Sequence, residues 1–290
     1  MTLKNRQDKW SESAKDLYHM RMRNGKVTHF GPDPTEIEIH ERTLRKIINK
    51  NKKIGKETTV LVLGATPELR DLALHCGCYI YCVDMNKNVL YAASKHLQEK
   101  DRSGEKVFVG NWDNLNMIED DEIDFILGSA SINNLPLESF SDVFKELNRI
   151  LNKEGIIQLR HITFPDKQKE DYSFTNVLKN YRHKKISDRE FYVILRFYSF
   201  LDIAYDNDKH VLYAKKVFDE FDRQFSKGIL KKEEAKYLTS FRNKVEHTIF
   251  SQNEMISIFT NSFSDCRILH GNGECYFKDI YNIFEMGSRK

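Results

Sequence analysis

An α/β fold, with a mostly parallel sheet covered by helices on both faces, follows from three features of this sequence. Short β-branched runs alternate with helical segments from residue 58 to residue 162. Residues 171–262 show only helical periodicity, broken near 206–208, 226–228 and 251–254. Two strand-like runs, 266–271 and 281–287, then close the chain. Alternation of strand and helix demands right-handed crossovers and a sheet buried on both faces. The helical block is therefore an insertion between the fifth and sixth strands, over the carboxyl end of the sheet, where ligands bind in such folds.

Taken in order, residues 8–22 read as a helix, with Trp10, Ala14, Leu17, Tyr18 and Met22 at helical spacing. A glycine and two prolines punctuate 25–36, and helix signals resume from Pro34 to Asn51. TTVLVLG (58–64) is the first strand, and PELRDLALHCG (67–77) the helix after it, with proline at its start and glycine at its end. YIYCVD (79–84) is the second strand and NKNVLYAASKHLQEK (86–100) the second helix. KVFVGN (106–111) and EIDFILGSA (122–130) are the third and fourth strands. SFSDVFKELNRILNKEG (139–155) is a helix ending at a glycine, and IIQLRHI (156–162) the fifth strand. CRILHG (266–271) and YNIFEMG (281–287) are close enough to pair as an antiparallel edge.

The bulk numbers narrow the function classes. The 290 residues allow one large domain or two ordinary ones, and a hydrophobic fraction of 40% supports a substantial core. A net charge of only +3 argues against a dedicated nucleic-acid binder, which would show a concentrated basic face, but it leaves room for a local patch. No stretch approaches the ~18 apolar residues needed to span a bilayer. The polar start MTLKNRQDKWSESAKD has no signal-peptide core, so the five cysteines at 76, 78, 82, 266 and 275 read as reduced thiols of a cytoplasmic protein. Strand alternation separates Cys78 from Cys82, and they read as small buried hydrophobes; no metal site is expected.

The informative stretch is VLVLGATPELRDLA (60–73), where a buried strand stops at one glycine and a helix starts almost at once. Such a junction aims helix N–H groups at a loop. Asp84 follows twenty residues after Gly64, at the end of the second strand, where a carboxylate can accept hydrogen bonds from both hydroxyls of a ribose. A dinucleotide would need G-x-G-x-x-G, whereas the loop here is G-A-T-P-E-L and Glu68 would face the phosphates. A ribose-bearing ligand without phosphate fits better, and S-adenosylmethionine is one; an NAD-linked oxidoreductase is the weaker option.

With those residues in hand, the run from about 58 to 162 resembles class I S-adenosylmethionine-dependent methyltransferases of the Rossmann-like type. VLVLGATPEL resembles their first motif in a G-x-T-P-E variant, CVDMNKNVL the second, VGNWDNLNM the third and DEIDFILGSASINNLP the fourth. FKELNRILNKEGIIQLR is similar to their shared helix, glycine turn and fifth strand. Two positions depart from the common pattern, Val62 and Asn111, where many members carry Asp. The resemblance implies a three-layer sandwich with a seven-stranded sheet in the order 3-2-1-4-5-7-6. It divides the chain into an N-terminal helical cap segment (1–52), the core (53–164 and 265–290) and a helical insertion forming a substrate cap (165–264).

The resemblance also implies roles. Gly64, Ala65, Thr66, Asp84, Met85, Asn111, Trp112 and Ser129 would contact S-adenosylmethionine, leaving S-adenosylhomocysteine as product. Tyr18 and Arg23, beside the N-terminal helix, would close over the site, with Asn133 and Asn134 facing the acceptor. Arg160 at the carboxyl end of the fifth strand could fork onto an acceptor carboxylate or phosphate, and His161 could serve as general base, although strand neighbours must point opposite ways. The aromatic stretch 190–205 reads as core of the cap before it reads as a substrate cage. The acceptor is expected to be a small molecule, since a cap encloses a pocket. A protein or RNA acceptor, or a non-catalytic binding partner that keeps the fold, are the alternatives. Oligomeric state is not legible.

Overall fold

The computed structural model describes residues 31–164, 170–234, 245–269 and 280–288. The helix expected at 8–22, with Tyr18 and Arg23, lies outside the described residues, as does Cys275.

Helix α1 (Pro34–Lys53) opens with a capping box. Asp33 Oδ1 accepts from the Glu36 N–H at 2.9 Å, and Glu36 Oε2 accepts from the Asp33 N–H at 2.7 Å. The helix turns Ile39, His40, Thr43, Leu44 and Ile47 inward. The alternation then runs as expected through β1 (Thr59–Leu63), α2 (Pro67–His75), β2 (Tyr79–Asp84), α3 (Lys87–Ser94), β3 (Glu105–Val109) and β4 (Ile123–Ser129). It continues with α4 (Phe140–Ile150) and β5 (Leu151–Phe164). After the insertion come β9 (Phe250–Ser251), α9 (Gln252–Thr260), β10 (Ser264–Leu269) and β11 (Tyr281–Gly287).

The sheet runs β10-β11-β5-β4-β1-β2-β3. In order of sheet strands this is 3-2-1-4-5-7-6, with β11 antiparallel to β5 and to β10 and the inner strands parallel. One face packs Leu44 and Ile47 of α1 and Leu69, Leu72 and Ala73 of α2 against Val60, Val62, Phe125 and Leu127. The other packs Phe140, Val143, Phe144 and Leu147 of α4 and Met255 and Phe259 of α9 against Leu61, Leu63, Ile126, Ile157 and Phe284. Alternation along each strand assigns the two sets.

Three expectations change. The helix expected at 139–155 stops at Ile150, and β5 starts at Leu151, before the glycine. A Cβ on Gly155 would lie 2.5 Å from Leu151 Cδ1, so the glycine serves a tight strand start and not a helix end. The insertion is not purely helical. Beside α5 (Phe174–Arg182), α6 (Asp188–Phe197), α7 (Leu201–Ala204) and α8 (Ala214–Ser226) it holds an antiparallel sheet of β6 (Tyr205–Asp206), β7 (Val211–Tyr213) and β8 (Glu246–Thr248). Strands of two or three residues are too short to show alternation. Finally, α9 packs with the core aromatics and not with the rest of the insertion. The insertion has its own core, including Phe191, Ile194, Phe218 and Phe221, which meets the central sheet at Ile162 and Tyr281.

Candidate functional site

The carboxyl ends of β1, β2 and β4 bring the predicted residues to one edge of the sheet. Gly64, directly after β1, has φ +94°. A side chain there would be strained, since L-residues rarely adopt that conformation. A Cβ there would lie in ordinary contact with both neighbours, 3.7 Å from Asp84 Oδ2 and 3.9 Å from Trp112 Cζ2. The glycine, the acid and the indole, far apart in sequence, therefore bound one small space. Parallel pairing creates it: Leu63 lies opposite Val83, the Gly64 N–H donates to the Val83 carbonyl at 2.9 Å, and Asp84 comes next along β2.

Asp84 is a partly buried carboxylate. Burial pushes its pKa up to about 6, against the pull of the Asn86 N–H, which donates to Oδ1 at 2.8 Å. It does not cap the following helix. Asn86 does so, accepting from the N–H groups of Asn88 and Val89 at 3.0 and 3.2 Å. A carboxylate held in this state is suited to ligand hydroxyl donors, which would stabilise its charged form. Met85, beside it, is half-buried.

Trp112 is buried, and its indole N–H donates to the Val83 carbonyl at 2.8 Å. The indole N–H is thus committed to the backbone and not to a ligand ring nitrogen; what the residue presents beside Gly64 is its ring. Asn111 precedes it, half-buried. Ala65 is buried against Cys82, Val89, Leu90 and Ala93, so its methyl belongs to the core. Thr66 stands at the N-cap of α2 without a side-chain capping bond.

Arg160 and His161 take opposite faces of β5. Arg160 is buried on the α1 face, with Nε 2.7 Å from Glu36 Oε1, Nη1 3.3 Å from Ser129 Oγ and its guanidinium 3.6 Å above the Tyr281 ring. Burial acts to lower its pKa, but Glu36 and Tyr281 outweigh that and hold it above the ordinary value. The expected fork onto an acceptor meets a guanidinium already engaged by Glu36, so Arg160 is a tie between α1 and the ends of β4 and β5. Arg189 of α6 joins the same cluster, 3.8 Å from Asp33 and 3.9 Å from Glu36.

His161 is enclosed between Phe259 and Phe284, edge-on to both at 6.2 Å. Burial pushes its pKa down to about 3. A base so weak and so enclosed cannot take a proton from an acceptor near neutral pH, and the general-base expectation is withdrawn. Asn133 is corrected as well. Fully buried, its Nδ2 donates to the Ile162 and Thr248 carbonyls at 3.0 and 2.9 Å and lies 3.1 Å from His161 Nε2, while Oδ1 accepts from the Ile162 N–H at 2.9 Å. It rivets β8 of the cap to β5. Asn134 Nδ2 donates to the Ala130 carbonyl at 2.8 Å. Ala130 itself has φ +52°, an observed strain at the end of β4 that no sequence pattern announces.

Sequence reading missed Glu36, Arg189 and Tyr281. Only Glu36 had a local signal, the D-x-x-E capping box at 33–36. A surface cavity of about 480 Å³, lined in part by Ile54, Lys56, Asp121 and Asp124, opens at the opposite, amino end of the strands and is not this site. Among the described residues no group of three His, Cys, Asp or Glu side chains could hold a metal, and no helix is long and apolar enough to cross a membrane.

Residues 63–159 match the family model described as a methyltransferase domain. No curated protein matches the chain. Among solved structures, an S-adenosylmethionine-dependent methyltransferase of Methanosarcina mazei is similar at TM-score 0.50 and 15% identity, covering 83% of this chain and 96% of that one. The CurJ carbon methyltransferase is similar at TM-score 0.54 and 9% identity, covering 90% of this chain and 57% of that one. A Rhodobacter sphaeroides protein described as a zinc-dependent alcohol dehydrogenase is similar at TM-score 0.57 and 12% identity, covering 97% and 98%. At such identities the likeness is one of fold.

Proposed function

We propose that the chain, whose residues 63–159 match a methyltransferase domain, is a class I S-adenosylmethionine-dependent methyltransferase that methylates a small-molecule acceptor held beneath the cap. The observation that carries the reading is the convergence of Gly64, Asp84 and Trp112 on one space, with a backbone at position 64 whose φ of +94° disfavours any side chain. The residues fit the cofactor. Asp84 would accept from the ribose hydroxyls, Gly64 would allow close backbone approach, and Asn111 and the Trp112 ring would border the base. Ser129, tied to Arg160, would lie toward the methionine end, with Thr66 and Met85 flanking.

When bound, the cofactor supplies a methyl on a positive sulfur, already an excellent leaving group. The chain's task is then placement: to hold an O, N, S or C nucleophile ~3 Å from that methyl and in line with the bond to sulfur. Neither His161 nor Asn133 serves this step, and none of the described residues is required as a base. The N-terminal segment with Tyr18 and Arg23 would complete the enclosure, and Asn134 lies on the acceptor side. The fold of the cap, with its own aromatic core, supports an enclosed acceptor over an open groove. The free thiols of Cys76, Cys78, Cys82 and Cys266 support a reducing, cytoplasmic setting.

The test is mass spectrometry of the ligand retained on purification, followed by transfer of labelled methyl from S-adenosylmethionine to a panel of small molecules, proteins and RNA. Label in a small molecule supports the proposal. Label only in protein or RNA refutes the acceptor class, and absence of cofactor binding by calorimetry refutes the site.

A further inference from the structure

The near-neutral charge of the chain conceals one strongly basic face. Between Arg42 and Lys56 there are seven basic residues, Arg42, Arg45, Lys46, Lys50, Lys52, Lys53 and Lys56, and not one acid. These +7 charges exceed the net +3 of the whole chain. The structure turns the run into a surface. Helix α1 buries Leu44, Ile47 and Asn51 on the sheet, so Arg42, Arg45, Lys46, Asn49, Lys52 and Lys53 share its outer face and all are exposed. Their spacing, i, i+3, i+4, i+7, i+10 and i+11, is one stripe of a 3.6-residue helix. At 1.5 Å per residue the stripe is about 17 Å long.

Three of the seven cations are spent within the protein, Arg45 on Glu41, Lys50 on Glu154 and Lys56 on Asp124. Arg42, Lys46, Lys52 and Lys53 form no ion pair among the described residues. A solvated helix face ordinarily interleaves both signs, and here one sign is excluded along three turns. The stripe starts near the α1 end where Glu36 meets Arg160 and runs toward the amino end of the strands, where Lys56 meets Asp124.

We infer that the outer face of α1 is a docking surface for the phosphate backbone of a nucleic acid. The ligand chemistry follows from the charges. A row of cations of one sign on a rigid helix matches a row of like anions, and the phosphates of one strand of a duplex are spaced at about 3.4 Å of axial rise, so along a duplex the stripe spans about five of them. The helix places no aromatic side chain on this face, so recognition is of the backbone and not of bases. The surface lies outside the cleft at Gly64 and Asp84. The inference stands independently of methyl transfer and does not make the nucleic acid the acceptor.

The test is fluorescence anisotropy of a labelled single-stranded RNA 20-mer titrated with the full chain at 50–200 mM salt. Four free cations predict a slope of log affinity against log salt near −3, from about −0.7 per phosphate contact. The variant Arg42→Gln/Lys46→Gln/Lys52→Gln/Lys53→Gln should keep its melting temperature and lose about 10²-fold or more in affinity at 0.1 M salt. A control with four other exposed lysines removed, Lys100, Lys145, Lys185 and Lys216, has the same net charge and should bind like the parent. Duplex DNA distinguishes RNA from a general phosphate-backbone preference, and binding of either supports the inference. Lack of RNA and DNA binding at 50 mM salt, equal losses in both quadruple variants, or tighter binding of a poly-glutamate 20-mer than of RNA would each overturn it.

Discussion

Replacing Asp84 by Asn should stabilise the empty protein and weaken its hold on S-adenosylmethionine. The carboxylate is partly buried, its pKa is pushed up to about 6, and its one backbone partner among the described residues is the Asn86 N–H at 2.8 Å. An acid whose folded pKa lies above its unfolded value of 3.8 is destabilising once ionised, so stability is lost as pH rises from about 3.8 to 6. A rise of this size corresponds to at most about 3 kcal/mol, and partial exposure reduces it to about 1–2 kcal/mol. An amide keeps the acceptor for Asn86 without the charge, so the empty variant should melt a few degrees higher, at about 2–4 °C per kcal/mol. Binding should move the other way. Hydrogen bonds to a charged group contribute about 1.5–3 kcal/mol each, and losing one ribose contact and the charge from the other predicts about 30- to 100-fold weaker binding by calorimetry.

The same carboxylate makes the parent's affinity depend on pH. Ribose hydroxyls favour the ionised form, so affinity should be constant above about pH 6 and fall by up to tenfold per pH unit below it, and this dependence should vanish in Asp84→Asn. A variant that melts lower yet binds as tightly as the parent, with the same pH profile, would refute this account of the site.

Gly64→Ala should weaken cofactor binding at least tenfold and cost about 1–2 kcal/mol of stability. Its φ of +94° strains any side chain, and the added methyl would face Asp84 and Trp112, a loss readable by calorimetry and urea unfolding. Acid should destabilise the fold through two buried histidines, His161 pushed down to about 3 and His40 to about 4. Both stay neutral when folded and bind protons below about 6.5 when unfolded, so stability falls as pH drops through that value. With Asp84 opposing below pH 6, the net loss between pH 7 and pH 5 should be about 2–3 kcal/mol by urea unfolding. His161→Phe should remove part of that loss and leave no His161 signature in the pH profile of methyl transfer. Glu36→Gln should cost about 3–5 kcal/mol, because it leaves the Arg160 guanidinium buried without its carboxylate. Glu36→Leu/Arg160→Met should recover most of the loss, and a double-mutant cycle without coupling would refute the tie.

The sequence by itself determined the layered α/β architecture and the placing of Gly64 and Asp84 at the ends of the first two strands, while the strand order came from the resemblance to class I methyltransferases. The first two are carried by period-2 and period-3.6 patterning over many residues, and parallel crossovers leave few ways to join such elements. A charge run such as 42–56 is equally visible there, but its gathering onto one exposed stripe requires knowing which face of α1 is buried. Only the tertiary structure decided the roles of Arg160, His161 and Asn133. Adjacent residues on a strand face opposite layers, and which layer holds Glu36 and which holds Phe259 is set by helices far away in the chain. The small cap sheet and the strain at Ala130 were hidden for a related reason, since two- and three-residue strands and a single left-handed alanine leave no periodic trace. A side chain's chemistry is written in its identity, but whether that chemistry is available depends on partners that only folding brings within reach.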